Sequence, residues 1–95
     1  MKTHADFKRA LQMKGTRLET LALANYSSGG RLYVGQIRFI AKADTTGVYL
    51  KETEHEAGRG SFLGYDKASD WTIDGDVATH TLGMSYRVIL GETNE

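Results

Sequence analysis

The spacing of apolar side chains along the chain changes once, and that change sets the expected architecture. Phe7, Ala10 and Leu11 recur at helical spacing behind Thr3-His4-Ala5-Asp6, a hydroxyl followed three residues later by a carboxylate in the pattern of a capping box. Gly15 stands where such a helix would stop. The pattern predicts one helix over residues 4–14, with Phe7 and Leu11 packed down and Lys8, Arg9 and Gln12 in water. From Arg17 onward the period is two. "RLETLALA" (17–24) predicts a strand whose alternation slips once between Leu18 and Leu21.

"RLYVGQIRFIAKA" (31–43) reads as one long strand. Its odd positions, Tyr33, Gly35, Ile37, Phe39, Ala41 and Ala43, are apolar or small and are assigned to the core. Its even positions pass from Leu32 and Val34 to Gln36, Arg38 and Lys42, with Ile40 among them, and Gly35 is the natural bend or bulge point. "DTTG" (44–47) turns into "VYLKE"; "SFLGY", "DWTI", "VATHTL" and "SYRVIL" supply further strands, the last with Tyr86, Val88 and Leu90 on one face. Asp74-Gly75 is expected to form a type I′ hairpin turn. "NYSSGG" (25–30) reads as a turn or short loop, "TEHEAGRG" (53–60) as an exposed loop and "DKAS" (66–69) as one helical turn or a loop.

The expected fold is therefore mainly β with one N-terminal helix: a small, strongly bent antiparallel barrel or sheet, SH3-like in proportion. The alternative is an open α+β sheet with the helix on one face. A single domain over residues 1–95 is expected, with the sheet over 17–90 and a solvated tail over 91–95.

Composition narrows the chemistry. The chain has no cysteine, which excludes disulfides, thiolate metal sites and thiol nucleophiles and suits a reducing compartment. No window approaches a membrane span, and "MKTHADFKRALQMK" has no apolar run like a signal peptide, so a cytoplasmic location is expected. Twelve basic residues balance twelve acidic ones, so the molecule as a whole has no pull toward nucleic acid.

Candidate sites thin out on inspection. "DWTIDGD" (70–76) holds three carboxylates, but not at the alternate positions of a calcium loop, and it is read as a hairpin. His4, His55 and His80 are read as three separate surface or edge histidines, with Asp76 the one acid local to His80. Ser61, His80 and Asp76 contain the residue types of a triad without a motif marking the serine. Gly58, Gly60 and Gly64 lack the lysine of a phosphate loop, although Arg59 with Ser61 beside it has the chemistry to meet a phosphate or carboxylate. Trp71, two residues before Ile73, is read as the anchor of the core. No catalytic residue, metal or cofactor is expected.

Several stretches together resemble a set of short bacterial proteins of phages, plasmids and other mobile elements. They are "FKRALQMKGTRLE" (7–19), "VYLKE" (48–52), "SFLGYDKASDWTIDGD" (61–76) and "SYRV" (85–88). That set shares a starting helix, a Gly-Thr entry to the first strand, a Ser-aromatic-Leu strand, a Lys-Ala-Ser turn and a Phe/Trp-x-x-Asp-Gly-Asp hairpin. The resemblance implies an accessory protein of a mobile element, an inhibitor or adaptor acting on a host system, and brings no catalytic residues with it.

The resulting expectation is a non-enzymatic module acting through protein–protein contact, with Glu54, Glu56 and Arg59 as polar contacts. A nucleic-acid-binding small barrel is the first alternative: Arg31, Tyr33, Arg38, Lys42, Tyr49 and Lys51 interleave cations with aromatics. Of these, Arg38, Lys42, Tyr49 and Lys51 would share the outer face of one hairpin, whereas Tyr33 points the other way unless a bulge at Gly35 changes the phase. Sequestration of a small anionic ligand at Arg59, Arg31 or Arg87 is the second. An open strand edge would also permit pairing with a second copy.

Overall fold

The computed structural model describes residues 1–24, 33–52 and 61–91. Helix α1 spans His4–Gln12, and its start has the expected chemistry. The Asp6 N–H donates to Thr3 Oγ1 at 3.2 Å, while Asp6 Oδ2 accepts the N–H groups of Lys2 at 2.9 Å and Thr3 at 3.1 Å. Orphan donors of the first turn are thereby satisfied. Phe7, Ala10 and Leu11 form the buried face, and Gly15 reverses the chain with φ +85°.

Seven strands follow among the described residues: β1 (Arg17–Ala22), β2 (Ile37–Ala43), β3 (Gly47–Lys51), β4 (Ser61–Gly64), β5 (Trp71–Asp74), β6 (Val77–His80) and β7 (Ser85–Ile89). A 3-10 turn over Ala68–Asp70 precedes β5. The strands form one antiparallel sheet in the order β4-β3-β2-β1-β7-β6-β5.

Connectivity forces this sheet to curl. In a flat seven-stranded sheet the two edges would lie about 29 Å apart. Here the edges are β4 and β5, and only residues 65–70, partly coiled into the 3-10 turn, join them. Extended chain of that length reaches at most about 25 Å. The sheet is accordingly a half-barrel, and α1 packs against both β5 and β2, elements four places apart in the strand order. Phe7 meets Trp71 at 4.7 Å between ring centroids inside the concave side, with Leu11, Leu18, Val48, Leu50 and Val88 around them. Tyr65 ties the crossing segment to the helix: its carbonyl accepts from Trp71 Nε1 at 2.8 Å and lies 2.7 Å from His4 Nε2, and its hydroxyl accepts from Gln12 at 3.2 Å.

The slip expected in "RLETLALA" is a register shift between Thr20 and Ala22. Other expectations need correcting. The long strand over 31–43 is interrupted: the Gln36 N–H donates to the Tyr33 carbonyl at 3.2 Å, and Gly35 takes φ +93° at the third position of that turn, where a type II turn demands glycine. The turn resets the parity. Gln36 and Arg38 face inward, while Ile37 is 41% exposed and Phe39, half-buried, lies on the convex side. Leu18 pairs with both Arg38 and Val88, which places Arg38 in the concave row.

The Asp74-Gly75 turn is also shifted by one residue. Asp74 pairs with Val77, so Gly75 and Asp76 are the two central residues, and of these only Gly75 has positive φ, at +64°. That is the pattern of a type II′ connection, which needs glycine at its first central position. Leu90 lies past the end of β7 and is exposed. Gly91 is no part of a solvated tail: its N–H donates to Thr16 Oγ1 at 3.1 Å, and a Cβ there would fall 1.9 Å from the Lys14 carbonyl oxygen.

Candidate functional site

Three groups of polar residues were candidates for binding a partner or ligand, and the fold sorts them differently. Of the four proposed to share one face, Lys42, Tyr49 and Lys51 do so. Lys42 pairs with Tyr49 and Phe39 with Lys51, on the convex side of β2 and β3. Arg38 does not join them; it is 5% exposed and points into the half-barrel. Glu54, Glu56, Arg59, Arg31 and His55 lie outside the described residues. Arg87 is on the convex side and already engaged, with Glu19 at 3.0 Å and Asp76 at 3.5 Å.

The convex face also has an aromatic that the sequence left unassigned, Phe62. Tyr49 pairs with Phe62 across β3 and β4, their rings 5.1 Å apart, and Phe62 is 50% exposed. Ile37 and Phe39 lie on the same side, with Arg17, Lys42 and Lys51 interleaved among them.

His80 is the largest departure from a set of separate surface histidines. It is 6% exposed and bonds to Asp66, not Asp76: its Nε2 lies 2.8 Å from Asp66 Oδ2, and its ring meets Trp71 edge-on at 4.7 Å. Asp70 completes a group whose ligand-type atoms all lie within 4.8 Å of one another. Its hydrogen bonds give this group a structural task. The Leu82 N–H donates to His80 Nδ1 at 3.0 Å, so the proton of the neutral ring sits on Nε2, which donates it to Asp66. A histidine that binds a metal through one nitrogen normally donates the other N–H to an acceptor; here the other nitrogen faces a donor. The same arrangement leaves no lone pair for a general base, since Nδ1 is taken by Leu82. Asp70 Oδ2 accepts the Lys67 N–H at 3.1 Å and holds the 3-10 turn. The cluster pins the segment that crosses between the two sheet edges.

Arg38 is the opposite case. Among the described residues it makes no ion pair, its Nε has no hydrogen-bond partner, and its one polar contact is a 3.5 Å approach of Nη2 to the Tyr86 hydroxyl. The guanidinium stands 5.8 Å from the centre of the Tyr86 ring. Thr20 Oγ1, on the neighbouring strand, is likewise buried and unpartnered. Arg38, Thr20 and Tyr86 all line a cavity of about 260 Å³ on the concave side. Parity alone would have shown Thr20 here, two residues from inward-facing Leu18; Arg38 was hidden by the turn at Tyr33–Gln36.

Comparison of the chain with protein-family models, with curated proteins and with solved structures gave no match.

Proposed function

We propose that this chain is a non-enzymatic binding module that acts through protein contact on the convex face of β2, β3 and β4. The observation that carries the reading is the half-exposed Phe62 ring against Tyr49, on the same face as Ile37 and Phe39. Aromatic anchors surrounded by polar residues are the usual arrangement of protein interfaces. The border is mainly cationic, with Arg17, Lys42 and Lys51 against Glu19, whose carboxylate meets Arg87. The partner that fits is a protein surface with an apolar patch and an acidic rim. The motif resemblance supplies the setting: an accessory protein of a phage or plasmid, inhibiting or adapting a host system in the cytoplasm. The engagement of both His80 nitrogens within the fold supports a non-catalytic role.

Oligonucleotide binding on the same face is the rival reading, and the inward turn of Arg38 weakens it by removing one of the four residues it relied on. Affinity capture from a phage- or plasmid-bearing host, run with the natural chain and with Phe62→Asp, separates the two. Specific protein contact predicts a partner lost on Phe62→Asp and retained at moderate salt. Capture indifferent to Phe62→Asp, or binding of a labelled oligonucleotide that falls steeply between low and moderate salt, would overturn it.

A further inference from the structure

We infer that the concave cavity of the half-barrel is a binding site for a small monocarboxylate with an apolar body. A buried guanidinium is costly unless a partner neutralises it, and Arg38 has none among the described residues. Arg38 and Thr20, on adjacent strands, both line the cavity, and each carries an enclosed polar atom without a hydrogen-bond partner, Nε and Oγ1. A carboxylate is the group that a guanidinium fork and a neighbouring hydroxyl satisfy together.

The rest of the lining sets the ligand's other features. Leu50, Leu63 and Met84 form an apolar wall, which suits an aliphatic or aromatic body. The volume, about 260 Å³, lies below the ~300 Å³ at which drug-sized sites begin, so the occupant is a small molecule and not a length of peptide. Charge separates carboxylate from phosphate. Asp66 also lines the cavity, with one oxygen held by His80, and Arg38 is the one cationic side chain of the lining among the described residues. With Asp66 already supplying one negative charge against the single guanidinium, a monoanion meets less repulsion here than a dianion. Phe62 lies at the rim of this cavity as well as on the face proposed for protein contact, but the assignment rests on Arg38 and Thr20 and not on that reading.

The test is an NMR titration of the whole chain with hexanoate, hexanol and inorganic phosphate. Hexanoate should shift the Arg38 Nε–H and the methyl signals of Leu50 and Leu63 saturably, and bind on the order of tenfold more tightly than hexanol. Phosphate should not displace it. Arg38→Met should lose binding on the order of tenfold, and Thr20→Val should lose a smaller part of it. Should Arg38→Met fail to fold, the hexanoate–hexanol comparison on the natural chain decides the matter alone. Equal binding of hexanol and hexanoate, displacement by phosphate, undiminished binding by a folded Arg38→Met, or no saturable shift up to about 10 mM would each overturn the assignment.

Discussion

Two buried polar residues at the residue scale show opposite designs. His80 engages both ring nitrogens, with Asp66 and the Leu82 N–H, and packs edge-on against Trp71. Removing it would strand a backbone donor and open a gap beside the core. His80→Ala should therefore cost about 2–4 kcal/mol in urea unfolding. Ring ¹⁵N shifts of the natural chain should report the Nε2–H tautomer; the Nδ1–H tautomer would contradict the structural assignment. Arg38 makes no comparable set of contacts. Replacing an uncompensated buried charge by an apolar side chain of similar length commonly leaves stability unchanged or raises it by about 1–4 kcal/mol. Arg38→Met should accordingly be at least as stable as the natural chain by the same measurement, and a loss above about 2 kcal/mol would show that the guanidinium serves the fold instead. Asp6 belongs to a third kind. The Lys2 N–H, then the Thr3 N–H and hydroxyl and the Arg9 guanidinium, hold its carboxyl below the ordinary 3.8. A group depressed on folding contributes stability that is present above the unfolded value and lost as pH falls through the folded one. Asp6→Ala should thus flatten the acid limb of the stability curve below pH 3.8 and leave the slope near neutrality unchanged.

Turn chemistry and register decide the outcome at the scale of elements. Gly47 and Gly75 are both turn glycines, yet they answer to different constraints. A Cβ on Gly47 would meet the Leu63 carbonyl oxygen at 2.4 Å and the Phe62 ring at 2.5 Å, so alanine there would push β3 and β4 apart. Gly75 has open space around it and needs only its positive φ. Gly75→Ala should cost about 1–2 kcal/mol in thermal unfolding, whereas Gly47→Ala should cost more and should disturb the Tyr49–Phe62 pair, visible as shifted aromatic NMR signals. The same contrast explains how much of the fold was legible in the sequence. Thr3–Leu11 carried its own cap and its own spacing, and α1 matched. The slip in β1 was visible because Leu18 and Leu21 broke parity within one strand. Parity failed at 31–43 because it assumes unbroken pairing, and the turn at Tyr33–Gln36 restarts the count. The hairpin was legible as a hairpin, but Asp-Gly and Gly-Asp turns share three residues, and only the Asp74–Val77 pairing separates them. His80 could be matched only with acids nearby in sequence, whereas its partner Asp66 sits on the segment linking the two sheet edges.

For the whole molecule, one curled sheet presents two surfaces of different character. The convex side gathers Ile37, Phe39, Tyr49 and Phe62 with Lys42 and Lys51; the concave side holds the core and, at its mouth, Arg38 with Thr20 and Tyr86. A formal net charge of zero makes neither surface a general attractor, so recognition has to come from these local arrangements. Both functional readings depend on which way β2 faces. If Arg38 pointed outward, the convex face would become a cationic aromatic platform and the cavity would lose its anchor. The most direct measurement is a side-chain NOE spectrum of the natural chain. Contacts from the Arg38 side chain to the Tyr86 ring and the Leu18 methyls are predicted, whereas contacts from Arg38 to Tyr49 or Lys51 would contradict the account.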